Sequence, residues 1–209
     1  MGFAAIAATG VNAGMLCAMH RVNTISQLEA TPKKYGVEVD IRTVAGELVL
    51  NHEPFQDGDR LDDYLSKFDH GLAILEIKEE GIEKQVIALC KKHKIENYFL
   101  LSVSFPFIYQ LSGQGIRNMA LRYSEFESID TCLALAGKVD WVWVDTFTKN
   151  PLDYASFQKL KAAGFRICLV SPDRWGRPQD IPGIVNEFKT QGIKIDAVMT
   201  DPKNAGLWQ

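Results

Sequence analysis

Residues 36–54 read GVEVDIRTVAGELVLNHEP. At the start Val37, Val39 and Ile41 share one face and Glu38, Asp40 and Arg42 the other, the period of two that marks a β-strand. An ordinary half-buried strand turns its acids to water. Here a second strand-like run, LVLNH (48–52), returns after a Gly-containing turn and ends on a histidine. Two carboxylates two residues apart on one strand face can point at one hard cation. A histidine close by can transfer protons beside it. An antiparallel hairpin with a solvated acidic face explains this stretch as well, so the decision rests on its surroundings.

Working outward, strand-like runs recur at 15–20 (MLCAMH), 72–78 (LAILEIK), 98–103 (YFLLSV), 118–124 (NMALRYS), 141–147 (WVWVDTF), 165–172 (FRICLVSP) and 196–202 (DAVMTDP). With residues 37–42 that makes eight, and a helical stretch separates each pair. The first helix, within 23–36, has Thr24 or Ser26 as its cap and Ile25, Leu28 and Ala30 facing inward. The helix within 79–94 buries Ile82, Val86, Ile87 and Cys90. Gly137 and Gly164 close two later helices. Strict β-α alternation implies a parallel sheet. A repeat of roughly 25 residues is close to the minimum for one βα unit. Eight units predict a compact α/β (β/α)8 TIM barrel, lean beside the usual ~250 residues. An open doubly wound sheet would want a Gly-rich phosphate loop after its first strand, and His20-Arg21 stands there instead.

The chain has 209 residues, 46% hydrophobic and 23% charged, with a net charge of −3. No linker or low-complexity tract divides it, so one domain over 1–209 is expected. The charge balance points to neither a nucleic-acid nor a membrane-surface partner. Cys17, Cys90, Cys132 and Cys168 are far apart and contain no C-x-x-C pair, as buried reduced thiols of a cytoplasmic protein would be. Residues 2–19 carry no charge, but they lack a basic leader and are too weakly hydrophobic for a signal peptide or a membrane span.

In such a barrel the active site lies at the carboxyl ends of the strands. Those ends hold His20 and Arg21, Glu38 and Asp40, Glu76 and Lys78, Arg122, Asp145, Ser171, and Thr200 with Asp201. The strand bodies are almost free of charge. Charged groups gathered in one mouth must pair, bind a cation or meet a charged ligand. Glu38, Asp40 and Glu76 would repel one another and raise each other's pKa. A divalent cation with oxygen ligands, Mg²⁺ or Ca²⁺, removes the conflict; Lys78 and Arg21 neutralising the acids is the alternative. His20 and His52 suit an acid/base pair better than a zinc site, because acids outnumber histidines. His70 and His93 read as surface or helix-end residues. Trp141, Trp143 and Asp145 share one face, pointing either into the barrel, with Asp145 at the substrate, or as core with Asp145 capping a loop. Trp175 lies in an RWGRP loop, as a stacking surface or simply exposed.

The order His20-Arg21, then E-V-D (38–40), N-H-E-P (51–54) and L-E-I-K (75–78) resembles the glycerophosphodiester phosphodiesterase family. Ser-x-Ser-Phe (102–105) and M-T-D-P (199–202) extend the resemblance more weakly over the rest of the chain. It implies a metal-bearing barrel that splits phosphodiesters of small alcohols or sugars. His20 and His52 would be its catalytic pair, Glu38, Asp40 and Glu76 its ligands for a divalent cation, and Arg21 and Lys78 its phosphate-binding residues. The partner implied is a small-molecule phosphodiester. Three departures stand out. Val22-Asn23-Thr24 replaces the family's Pro-Glu-Asn-Thr run, only about twenty residues separate His52 from Leu72, and Ser171 takes the place of a Trp. The leaving-group pocket is therefore expected to differ. Other outcomes of the same residues are a phospholipase-D-like lyase that stops at a cyclic phosphate and a non-catalytic barrel binding a phosphorylated small molecule. A Schiff-base role for Lys78 is disfavoured by the neighbouring Glu76, which keeps the amine charged.

Overall fold

Eight parallel strands carry the fold, in the order the sequence predicts. The computed structural model describes residues 14–208; of the uncharged amino-terminal stretch, residues 2–13 lie outside the described residues. The strands are β1 (Leu16–Met19), β2 (Gly36–Val44), β3 (Glu47–Leu50), β4 (Asp59–Arg60), β5 (Ala73–Ile77), β6 (Tyr98–Leu101), β7 (Ala120–Tyr123), β8 (Trp141–Val144), β9 (Arg166–Val170) and β10 (Ala197–Thr200). Parallel ladders run β7-β8-β9-β10-β1-β2-β5-β6. The eighth seam, between β6 and β7, is a single parallel bridge from Leu100 to Met119. Its hydrogen bond runs from the Leu100 N–H to the Asn118 carbonyl at 2.9 Å. This is the architecture of a (β/α)8 barrel with one thin seam.

Strands β3 and β4 are an antiparallel excursion from the long β2. The β2–β3 turn has positive φ at both central residues, Ala45 (51°) and Gly46 (83°). That is the twist a two-residue hairpin needs.

The helices are α1 (Ile25–Ala30), α2 (Leu61–Ser66), α3 (Glu83–Lys92), α4 (Phe105–Gly113), α5 (Ile129–Ala134), α6 (Tyr154–Ala162) and α7 (Ile181–Gln191). Thr24 caps α1 through a capping box with Gln27, and Gly137 and Gly164 adopt positive φ past α5 and α6, as glycine allows at a helix end. Leu28 is buried, but Ala30 is exposed rather than inward-facing, because the helix ends there. On α3, Val86 and Cys90 are buried and Ile87 only half so. His70 is not a surface residue: its ring is buried in the loop before β5, with Nε2 2.9 Å from the Thr31 carbonyl. His93 does sit at a helix end, with Nε2 2.6 Å from Asp62.

Two apolar layers result. The larger fills the space between strands and helices. The smaller fills the barrel, where Ala18, Ala120 and Ala197 make room for Phe99, Trp141 and Trp143. Phe99 lies 4.7 Å from the Trp141 ring, centroid to centroid, and the Arg166 guanidinium stacks over Trp141 at 4.3 Å. Large residues set against small ones fill a barrel without voids. The four cysteines are free and buried, as expected. No helix among the described residues is long and apolar enough to cross a membrane.

Candidate active site

Alternation along β2 puts Val37, Val39 and Ile41 against the helices and Glu38 and Asp40 into the barrel mouth. Asp40 pairs in register with Glu76 on β5, so those two carboxylates stand side by side, with Glu38 one layer below. One carboxylate oxygen from each of Glu38, Asp40 and Glu76 lies within 4.8 Å of the other two. Glu38 and Asp40 are fully buried.

Each acid has defined partners. The Arg21 backbone N–H donates to Glu38 Oε2 at 2.8 Å. The Asn23 amide donates to Asp40 Oδ2 at 2.7 Å, and its carbonyl oxygen accepts from the Asp40 N–H at 2.9 Å. The Ser102 hydroxyl donates to Glu76 Oε1 at 2.9 Å. Lys78 Nζ lies 3.0 Å from Asp40 Oδ1 and 2.8 Å from Glu76 Oε2. Glu38 Oε1 has no partner. Burial, then the charges of Asp40 and Glu76, push the Glu38 carboxyl well above its ordinary value. Burial works against Asp40 as well, but Asn23 and Lys78 outweigh it and hold that carboxyl low.

Three carboxylates against one lysine leave an excess of two negative charges when all are ionised. A buried oxygen with no donor is costly, and an oxygen-ligated divalent cation would satisfy it while balancing that excess. The donor set therefore fits such an ion. Lys78 neutralises part of the cluster, as the alternative reading expected, without reaching Glu38 Oε1.

His20 follows β1 at the edge of this cluster. Its Nε2 is 3.9 Å from Glu38 Oε2 and its Nδ1 3.8 Å from Asp201 Oδ1. Burial, then Arg174 and Arg21, push its pKa down to about 3, so the imidazole is neutral at pH 7. His52 arrives by another route. Strand β3 turns back along β2, and the Asn51 N–H donates to the Asp40 carbonyl at 3.0 Å. His52 therefore stands at the rim, close enough for its charge to act on Asp40 and His20. It is partly exposed, with Nδ1 2.7 Å from Glu53 Oε1. The mouth thus gathers the two histidines, the three acids, Arg21 and Lys78, and of the two histidines His20 lies nearer the cluster, 3.9 Å from Glu38.

Across the barrel, Trp141, Trp143 and Asp145 all face inward. The tryptophans are core, and Asp145 accepts from Arg122 Nη1 at 3.0 Å. Burial raises the Asp145 carboxyl to about 6 against the pull of Arg122. Trp175 packs on Phe147 with centroids 4.7 Å apart. Ser171 is buried beneath Trp208, whose indole N–H donates to its hydroxyl at 3.0 Å.

Sequence reasoning gave no role to Asn23, Ser102 or Arg174. The last donates to Asp201 at 2.8 Å. Asn23 had a signal: a polar residue wedged between a strand-end pair and a helix cap. Ser102 had a fainter one, as the first polar residue after an all-apolar strand.

No family model matches the sequence, and neither does any curated protein. Solved structures do match in fold. A protein of Agrobacterium tumefaciens C58 assigned as a glycerophosphoryl diester phosphodiesterase superposes with TM-score 0.66 at 16% identity, over 93% of this chain and 97% of that one. A glycerophosphoryl diester phosphodiesterase of Parabacteroides distasonis gives 0.63 at 12%, over 95% and 87%. The tryptophan synthase α-subunit of Pyrococcus furiosus gives 0.57 at 10%, over 93% and 88%. The chain therefore has the (β/α)8 fold these enzymes share. Barrels of this kind host unrelated chemistries, so the reaction has to be argued from the mouth.

Proposed function

We propose that this protein is a metal-dependent phosphodiesterase. It hydrolyses a small-alcohol or sugar phosphodiester, glycerophosphodiester-like, by acid/base catalysis on His20 and His52. One observation carries the reading: the buried, unpaired Glu38 Oε1 sits within a three-carboxylate cluster beside a neutral histidine at the barrel mouth. The fold shared with phosphodiesterases supports it. So does the pair of histidines, which mere phosphate binding would not need.

In this mechanism Glu38, Asp40 and Glu76 would hold a cation, Mg²⁺ or Ca²⁺, which would supply positive charge for the phosphate oxygens. Arg21, partly exposed beside Asp40, adds a second positive group for the same oxygens. Lys78, held protonated by Glu76 and Asp40 despite its burial, keeps those two acids in place and contributes its charge beside them. One imidazole takes the proton of the attacking hydroxyl, and the other protonates the leaving oxygen. His20 stands beside the acid cluster and His52 at the solvent rim, so either can accept while the other donates.

The test is hydrolysis of bis(p-nitrophenyl) phosphate by chelator-stripped protein, with Mg²⁺, Ca²⁺ or Mn²⁺ then restored. Turnover should vanish on stripping and return with one ion. His20→Ala should lower it by at least 10² while leaving the thermal midpoint within a few degrees. Wild-type turnover in His20→Ala would end the acid/base assignment. Ions that alter neither turnover nor stability would reduce the acid cluster to a salt-bridged structural feature.

A further inference from the structure

The thin β6–β7 seam opens into a cleft of about 410 Å³. Its inner end is polar and belongs to the mouth: Ser102 donates to Glu76, and Arg122 donates to Asp145. Val103, Phe105, Ile108, Leu121 and Phe126 make up most of the apolar part of its lining, and Glu127, Ser128 and Thr131 the remaining polar part. Phe105 is 52% exposed and Phe126 75%, although neither has a packing reason to face water. They are not isolated. Phe55 and Trp175 also stand exposed in segments that follow the carboxyl ends of strands. Single exposed apolar residues are ordinary, but several past strand carboxyl ends mark a binding face.

We infer that the substrate is amphiphilic: its phosphate sits at the acid cluster and an alkyl chain on one of its esterified alcohols lies in the β6–β7 cleft. This deepens the phosphodiesterase reading and rests on it. The occupant follows from adjacency: Ser102, which lines the cleft, also donates to Glu76, so a chain lying there can belong to a group held at the cluster. Its volume accommodates roughly a dozen non-hydrogen atoms at the ~30 Å³ that one water occupies. In the reaction a water oxygen bonds to phosphorus and the bond from phosphorus to the departing alcohol breaks. The water's proton leaves through one imidazole, and the alcohol oxygen receives its proton from the other.

The experiment uses glycerophospho-n-alkanols of one, four and eight carbons, below micellar concentrations, with the restoring ion present. Hydrolysis is followed by ³¹P NMR. Each fully buried methylene is worth roughly fourfold, so in a half-open cleft kcat/KM should rise at least thirtyfold from one carbon to eight, mainly through KM. Thr131→Trp, at an exposed position lining the cleft, should cut that rise below threefold and leave the one-carbon ester unaffected. Phe126→Ala should reduce it partially. A flat series in the wild type, or a rise that survives both substitutions, overturns the inference while the phosphodiesterase reading stands. If no ester of any length is hydrolysed, that reading fails, and octyl phosphate binding by calorimetry decides the cleft. Saturable binding weakened at least tenfold by Thr131→Trp upholds it. Absent or unchanged binding overturns it.

Discussion

Arg21 and Ser102 hold two of the three acids, and both do so from a left-handed backbone, with φ of 53° and 58°. For an L-residue that conformation costs roughly 1–2 kcal/mol, and such strain gathers where geometry matters more than stability. Arg21→Gly keeps the N–H that donates to Glu38 and removes both the strain and the guanidinium. Its unfolding free energy should rise by about 1 kcal/mol in denaturant titration, while turnover falls by on the order of 10². A destabilised protein, or one of unchanged turnover, would show that the backbone bend serves packing alone. Asp145 gives a second prediction. Its folded pKa of about 6 lies above the usual 3.8, so between those values the folded state binds more protons than the unfolded one. Stability therefore falls as pH rises through that window, by at most about 3 kcal/mol. Asp145→Asn should flatten the dependence and be the more stable protein at pH 7; an unchanged pH profile would place the titration elsewhere. At this scale the acids and His20 were legible because alternation alone assigns their face. Asn23 and the Arg122–Asp145 pair were not, since both depend on which strands or loops become neighbours in space.

The hairpin of β2 and β3 shows what one element adds to a bare βα repeat. It lifts the chain above the mouth and returns it so that Asn51 bonds the Asp40 carbonyl and His52 reaches the rim. The period of two at Val37–Ile41 and the return run to His52 were readable; the height at which His52 arrives was not, because it depends on the turn and the register. That turn holds Ala45 at a φ of 51°, where Asn is better tolerated. Ala45→Asn should raise the denaturation midpoint by an amount worth about 0.5–1 kcal/mol and leave turnover intact. A loss of stability would mean that the turn is not of this type in solution. Gly36 at the other end of β2 has the opposite constraint. A Cβ there would stand 2.9 Å from both the Leu72 carbonyl oxygen and its Cβ. The closeness of β1, β2 and β5 at that level thus requires glycine, a demand invisible in a sequence where Gly36 reads only as the residue before a strand.

At the scale of the whole barrel, the eight-strand count was legible because each strand is an apolar run ending in charge. The inequality of the seams was not, because a ladder is a relation between two strands that neither one's sequence states. Seven seams are ladders and one is a single bridge, and the cleft opens at that place. Local opening should follow the same inequality, since segments with few backbone bonds open at lower free energy than those inside a ladder. In hydrogen exchange the Leu100 amide, which bonds across the thin seam to Asn118, should exchange well before the Val37 and Ala73 amides, which bond to Leu72 and Asn97 in the β2–β5 and β5–β6 ladders. On the proposed reading the restoring ion would tie Glu38 and Asp40 to Glu76, so it should slow β2 and β5 further and leave the β6–β7 seam unchanged. Exchange of all three amides at one common rate, in the stripped and loaded protein alike, would mean that the barrel opens only as a unit. The seam would then be as strong as the ladders, and the cleft a rigid slot rather than the place where the barrel yields.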